Sequence, residues 1–180
     1  MTTRGQLLPF LLTQAAILLG CAALATRPVA AQAALVVWPA VGAIGALAPL
    51  PPRRDVHTNG LPIIPVLALG VLAFAAARWL AAPLPGPITA FAVGATIGAA
   101  VAEEVFFRRL VYGWIAPTSD ALAIIGAAAL FAIVHVPAYG ARVFPLDLAA
   151  GIFFGWQRWA TGGWIAPALT HAAANVLQIL

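Results

Sequence analysis

The chain consists of long apolar runs separated by short breaks that contain Pro, Gly or Arg. Runs of about 17–25 apolar residues are long enough to cross a bilayer as helices, and Pro and Gly commonly interrupt or end them. This pattern predicts seven spanning helices, at about residues 6–25, 33–50, 61–81, 88–115, 121–136, 145–160 and 164–180. The predicted fold class is therefore all-α, a polytopic transmembrane helical bundle with about seven spanning helices.

Three polar or proline residues predict details of the later helices. Asp120 follows a short turn and is a suitable N-cap for the fifth helix. Pro137 is expected to stop that helix, because proline disfavours the helical conformation in the residue before it. Pro167 lies four residues after Gly163 and removes a helical donor, which predicts a kink in the seventh helix.

Composition supports a lipid environment and excludes several classes of function. Hydrophobic residues make up 63% of the chain and charged residues only 8%, whereas soluble domains are about 25% charged. All nine cations are arginines, and they are dispersed rather than gathered on one face, so nucleic acid is not an expected partner. The single cysteine, Cys21, excludes an internal disulfide framework and a CxxC metal site.

The arginines also predict an orientation in the membrane. With a cytoplasmic N-terminus, one side carries six of them and the other side carries three. The six are Arg4, Arg53, Arg54, Arg108, Arg109 and Arg158, and the three are Arg27, Arg78 and Arg142. The counts therefore predict that the N-terminus lies in the cytoplasm. The expected localisation is the bacterial inner membrane, as a multi-pass protein. We expect a single membrane domain, with three N-terminal helices in residues 1–87 and a core in residues 88–180.

Ionisable residues occur inside the predicted spanning helices. The only two glutamates of the chain, Glu103 and Glu104, are adjacent in one apolar run, and His135 and His171 lie in two others. A charge at the bilayer centre costs roughly 2.5–3.5 kcal/mol by insertion scales, so such residues usually face the bundle interior. They indicate either a functional site or a structural network of polar contacts between helices.

Helix geometry places these residues at a common depth. The fourth and fifth helices are expected to be antiparallel across a turn at residues 116–120. At 1.5 Å per residue, Glu103 lies about 20 Å and His135 about 22 Å from that turn. His171 and Asn175 lie about 13 Å and 20 Å from the same surface. Chance placement of such rare residues in one layer is a poor explanation, which favours a site.

Spacing within each helix predicts local pairs. Glu104 and Arg108 are four residues apart, so they share a helix face and can form an ion pair. That pair would leave Glu103, about 100° further round the helix, for chemistry. Each histidine also has a partner one turn away, because Phe131 precedes His135 and Asn175 follows His171 by four residues.

Three motifs carry a family resemblance. An EExxxR motif occupies residues 103–108, an FxxxH motif residues 131–135 and an HxxxN motif residues 171–175. In this order they resemble the CPBP (Abi) family of intramembrane proteases. That family includes type II CAAX prenyl endopeptidases, bacteriocin-processing proteins and bacteriocin immunity proteins. The resemblance extends over about residues 89–180.

The resemblance implies an intramembrane endopeptidase that acts on membrane-associated or lipid-modified peptides. By match, Glu103 would be the general base that activates a water, and His135 and His171 would position it. Asn175 would help to stabilise the oxyanion. The implied partners are a peptide or protein substrate at the membrane and the lipid bilayer itself.

The resemblance leaves the use of a metal open and gives Glu104 and Arg108 a supporting role. Glu103, His135 and His171 would also form a His₂Glu zinc set with an open fourth position. The sequence contains no HExxH motif. Zinc and metal-free chemistry are therefore kept as about equal alternatives, and in the zinc version Glu104 would be the candidate base.

Two other classes of function remain as alternatives. A non-catalytic immunity or scaffold protein could keep all of the motif residues. A proton-coupled transporter could also use carboxylates and histidines inside the membrane as a proton relay. Transporters are often built from internal repeats, and the sequence shows none, which favours the protease.

Overall fold

The bundle consists of seven long helices in the part of the chain that the structure describes, and that part contains no strand. This computed structural model describes residues 4–25, 31–51, 60–80 and 88–180. The helices are α1 (Arg4–Ala25), α2 (Ala31–Leu47), α3 (Ile63–Leu80), α4 (Ala90–Ile115), α5 (Asp120–Tyr139), α6 (Phe144–Thr161) and α7 (Ile165–Ile179). A short 3₁₀ turn, Ala141–Val143, joins α5 to α6. The predicted all-α bundle of about seven helices is confirmed.

Four of the described helices have the length and hydropathy of membrane spans: Leu8–Ala25, Ile63–Leu80, Ala90–Ile115 and Asp120–Tyr139. Their outer faces are apolar, since Leu18 and Leu72 are 71% and 67% exposed. Exposed apolar side chains on helices of this length and hydropathy indicate a lipid environment. The chain is therefore a membrane protein.

Part of the orientation prediction lies outside the described residues. Arg27, the loop with Arg53 and Arg54, and the break at residues 83–87 all belong to that part of the chain. Two of the six arginines counted on the cytoplasmic side, Arg108 and Arg158, are 0% and 4% exposed within the bundle. The side of the membrane on which each arginine lies stays a prediction.

The ends of α5 differ from the prediction. Ser119 is the N-cap, and its hydroxyl accepts a hydrogen bond from the Leu122 amide, so Asp120 is the first helical residue. Pro137 does not stop the helix. The helix continues until Gly140, whose φ of 82° is a conformation that glycine adopts readily. A proline near a helix end removes one hydrogen bond, and the chain tolerates this loss here.

The predicted kink at Pro167 is also wrong. The helix α7 begins at Ile165, so Pro167 lies in its first turn. The amides of the first turn have no partner within the helix, and a proline there costs no hydrogen bond. The proline therefore marks the start of α7.

Two close backbone contacts fix how the helices cross. At Gly45 of α2, an added Cβ would lie 2.7 Å from the Phe106 backbone nitrogen of α4. At Gly151 of α6, an added Cβ would lie 2.9 Å from the Cα atom of Ala128 in α5. Only a residue without a side chain allows such an approach, and both contacts adjoin the layer that holds the glutamates.

Replacing Gly45 with alanine should therefore destabilise the bundle. The methyl group would meet backbone atoms that cannot rotate away, and such overpacking costs about 1–3 kcal/mol. Gly98 of α4 is the matched control, because its Cβ would meet nothing within 4 Å. Gly98→Ala should raise stability by up to about 1 kcal/mol through helix propensity. Thermal unfolding in detergent measures both, and equal shifts would contradict the close contact.

Candidate active site

The helix α4 changes its hydrogen-bond pattern directly after the two glutamates. Residues Val105–Val111 form a π-helix, where a regular α-helix was predicted. The Tyr112 amide bonds to the carbonyls of Phe107 and Arg109, whereas in an α-helix it would bond to the carbonyl of Arg108. Short π segments inside α-helices are frequent at functional sites. The π segment Val105–Val111 changes the direction in which the side chains of α4 after Glu104 leave the helix.

The structure brings one glutamate and both intramembrane histidines together. The Oε2 atom of Glu103 lies 3.8 Å from Nε2 of His135 and 3.9 Å from Nε2 of His171. The three side chains come from α4, α5 and α7, and all three are buried. Residues that are far apart in the sequence therefore form one compact cluster.

The second nitrogen of each ring fixes the tautomer. Nδ1 of His135 is 2.7 Å from the carbonyl oxygen of Phe131, and Nδ1 of His171 is 2.9 Å from Oε1 of Glu104. A carbonyl and a carboxylate only accept, so each Nδ1 donates. The Nε2 atom of each ring faces Glu103 and is an acceptor when the ring is neutral. Two imidazole nitrogens and one carboxylate oxygen therefore converge on one small volume.

The second glutamate forms the predicted ion pair with Arg108. Oε2 of Glu104 is 3.1 Å from Nε of Arg108, and both side chains are fully buried. The guanidinium lies 4.8 Å from the ring centre of Phe131 and 5.2 Å from that of Phe154, and its Nη2 donates to the Gly151 carbonyl at 3.1 Å. Glu104 thereby links Arg108 to the histidine of α7.

A second buried arginine completes the charge balance of the interior. Nε of Arg158 donates to the carbonyl of Arg108 at 3.1 Å, and its guanidinium lies 5.1 Å from the ring centre of Tyr112. The buried carboxylates Glu103 and Glu104 are thus matched by two buried guanidinium groups. Sequence reasoning missed Arg158, although its position inside an apolar run was a signal.

Aromatic rings enclose the two histidines. Phe154 stacks on His171 with ring centres 4.9 Å apart, and Tyr139 stacks on His135 at 5.9 Å. Phe131 contacts both imidazoles. Tyr139 is 60% exposed, so it marks the side on which the cluster lies nearest to the exterior.

Asn175 is the one predicted site residue without a direct link to the cluster. It follows His171 by one turn of α7 and is half-buried. In the described part of the chain, no hydrogen bond joins the side-chain amide of Asn175 to the other predicted site residues. Its position on the helix face of His171 agrees with the predicted spacing, and its role stays a prediction.

A cavity of about 950 Å³ lies between α2 and α4. The residues that line it include neither glutamate. Gly94, Gly98, Val101 and Val105 line it at intervals of three or four residues, which is one stripe of the helix. This apolar cleft is separate from the carboxylate–histidine cluster, so the cluster and not the cleft is the candidate active site.

The cluster has the donor types of a zinc site. Ligand atoms that lie about 2.0–2.1 Å from a tetrahedral zinc ion are about 3.4 Å from one another. The distances from Oε2 of Glu103 to the two imidazole Nε2 atoms, 3.8 Å and 3.9 Å, are about half an ångström longer. No group of three or more His, Cys, Asp or Glu in the described ranges meets the spacing of a metal site. The carbonyl and carboxylate partners of His135 and His171 are those that metal-bound imidazoles usually have. The donors therefore fit zinc in kind and would have to move closer to hold it.

The comparison with protein families agrees with the motifs. Residues 85–177 match the model of the type II CAAX prenyl endopeptidase Rce1-like family. This match spans half of the chain and includes α4 to α7 with the whole cluster, so the chain belongs to this family. Membership implies a CAAX-type intramembrane protease, a hydrolase that acts on a peptide at the membrane. No curated protein and no solved structure matches the chain.

Proposed function

We propose that this protein is an intramembrane endopeptidase of the bacterial inner membrane that cleaves lipid-modified peptides of the CAAX type. The observation that carries the proposal is the cluster in which the Glu103 carboxylate faces two imidazole Nε2 atoms within 4 Å. A buried carboxylate between two acceptors is suited to bind and deprotonate a water. The N-terminus would lie in the cytoplasm.

In the proposed reaction, a water binds between Glu103, His135 and His171. Glu103 removes one proton from the water while the other proton is held by an imidazole Nε2. The hydroxide attacks the carbonyl carbon of the scissile peptide bond and gives a tetrahedral oxyanion. Collapse of this intermediate breaks the C–N bond, and the proton on Glu103 passes to the leaving amine. The products are a carboxylic acid, which keeps the second proton of the water until it ionises in solution, and a free amine.

The neighbouring residues would stabilise and orient this centre. Glu104 accepts the Nδ1 proton of His171, and Arg108 pairs with the other carboxylate oxygen of Glu104. The amide of Asn175, one turn after His171, would donate to the oxyanion after a side-chain rotation. The low polarity around the cluster strengthens each of these contacts relative to water.

A zinc version of the site would use the same residues in other roles. Glu103, His135 and His171 would hold the ion, and Glu104 would be the base. Bound zinc would supply a Lewis acid for the peptide carbonyl and an acidified water. Activity of the purified protein in the presence of a strong chelator distinguishes the versions. We expect activity to persist, and a loss that added zinc restores would establish the zinc version instead.

The substrate class is tested with the purified protein in lipid vesicles. The two substrates are one peptide with a farnesylated C-terminal CAAX sequence and the same peptide without the farnesyl group. Mass spectrometry should show the terminal tripeptide released from the farnesylated peptide at least about tenfold faster, as burial of the lipid adds binding energy. Equal rates for the two peptides would overturn the proposed requirement for a lipid group but would still support the protease activity. Cleavage of neither peptide would contradict the proposed function.

A further inference from the structure

The helix α6 carries a cation that the family motifs do not include. Arg158 lies in an apolar helix inside the bundle, where a charge is costly unless it is paired. Its Nε donates to the Arg108 carbonyl at 3.1 Å, and its guanidinium lies over the ring of Tyr112. Both contacts are with the π segment of α4 or its last boundary residue.

The π segment explains why the Arg108 carbonyl receives this donor. The Tyr112 amide does not bond to the Arg108 carbonyl but to the carbonyls of Phe107 and Arg109. A change to α-helical geometry would return the Tyr112 amide to the Arg108 carbonyl, in competition with Arg158. The hydrogen bond from Arg158 therefore favours the π geometry.

Two hydrogen bonds of opposite direction join Arg108 to α6. Nη2 of Arg108 donates to the Gly151 carbonyl, and Arg158 donates back to the Arg108 carbonyl. From Arg108 the contacts continue through Glu104 to Nδ1 of His171. A continuous chain of hydrogen bonds and ion pairs thus leads from Arg158 to the imidazole that faces the proposed base.

We propose that Arg158 is a positioning residue of the active site. It holds the π segment in the geometry in which Arg108 pairs with Glu104. Glu104 in turn accepts the Nδ1 proton of His171, which keeps the Nε2 atom of His171 directed at Glu103. It touches none of the reacting atoms, and its effect on catalysis rests on the proposed protease function. With Arg108 paired to Glu104, the charge of Arg158 also offsets that of the other buried carboxylate, Glu103.

The test is a double-mutant cycle measured on cleavage of the farnesylated peptide. Arg158→Met should lower kcat by about 30-fold with KM within about twofold, because positioning acts on the transition state. Arg158→Lys should recover part of the loss, as an amine can donate to the same carbonyl without the planar contact with Tyr112. In an Arg108→Lys background, Arg158→Met should lower kcat by less than about threefold.

Gln157 is the matched control on the same helix. It is fully buried, and its amide donates to the Val66 carbonyl and to Thr170 Oγ1 rather than to the π segment. Gln157→Met should lower the unfolding temperature, leave kcat of the folded enzyme within about twofold and add independently to Arg108→Lys. The proposal is overturned when Arg158→Met also leaves kcat of the folded enzyme within about twofold and adds independently to Arg108→Lys.

Thermal unfolding separates a failure of this proposal from a failure of the proposed function. A wild-type protein that cleaves no peptide refutes the protease proposal alone. The unfolding temperatures of Arg158→Met, Arg108→Lys and the double variant still report whether the two residues are coupled. Non-additive shifts support the link between them, and additive shifts refute it.

Discussion

Replacement of Glu103 by glutamine should lower kcat/KM by about 10³-fold and leave the bundle folded, because a general base contributes about 10²–10⁴-fold. Glutamine has nearly the same shape and can still face the two imidazoles, but it cannot accept a proton from water. It also removes a charge from the apolar interior, so the variant should unfold at the wild-type temperature or above it. Cleavage of the farnesylated peptide and thermal unfolding in detergent measure the two effects.

Asp120 is the matched control for this substitution. Its carboxylate accepts a hydrogen bond from the Tyr112 hydroxyl at 3.3 Å and lies at the start of α5, away from the cluster. Asp120→Asn removes one carboxylate charge in the same way and should change kcat/KM by less than about twofold. Retention of more than about a tenth of the activity in Glu103→Gln would exclude this residue as the base.

Loss of Arg108 should have the largest effect on stability. Arg108→Met should lower the free energy of unfolding by about 3–5 kcal/mol, because it leaves Glu104 as a buried charge without its partner. The substitution also removes the hydrogen bond to Gly151 and the contact of the guanidinium with Phe131. Thermal unfolding in detergent and the yield of folded protein measure the loss.

Two further variants test the electrostatic reason for this loss. Arg109→Met is the matched control, since Arg109 is half-buried and donates to the carbonyls of Gly45 and Ala48 near the end of α2. It should cost only about 1–2 kcal/mol. Adding Glu104→Gln to Arg108→Met should restore part of the stability without restoring activity. A double variant as unstable as Arg108→Met alone would show that packing, and not charge, causes the loss.

The hydrophobic pattern was sufficient to predict the membrane bundle and the order of its helices. Apolar runs long enough to span leave few alternatives to a helix, and the four polar residues Glu103, Glu104, His135 and His171 are conspicuous inside such runs. Because depth along antiparallel helices follows from residue counts, their proximity could be predicted before any contact was known. The Glu104–Arg108 pair followed from helical spacing alone.

The π segment could not be predicted in the same way, and the burial of Arg158 was missed although the residue lies in an apolar run. A π turn differs from an α turn by one hydrogen-bond register, and residues 105–111 contain no glycine or proline that would signal it. What favours it is a donor on another helix, which only the packing of α6 against α4 supplies. The cap of α5 was misplaced by one residue because Ser119 and Asp120 are both good N-cap residues.

Two predictions concern the division of the chain and the role of Asn175. The division of the chain at residue 87 rests on the proline-rich break at residues 83–87 and on the position of the motifs after it, and it stays a prediction. The role of Asn175 depends on a substrate, because an oxyanion exists only during the reaction. Asn175→Ala should therefore lower kcat far more than it raises KM.

The central claim is that water is activated at Glu103 to hydrolyse a peptide bond at the membrane. It is tested most directly by mass spectrometry of the products formed in water enriched in oxygen-18, with the wild type and Glu103→Gln compared at equal protein concentration. The wild type should release a product whose new carboxylate contains one oxygen-18 atom from the solvent, and Glu103→Gln should release almost none. The same labelled product at the same rate from both proteins would contradict the account.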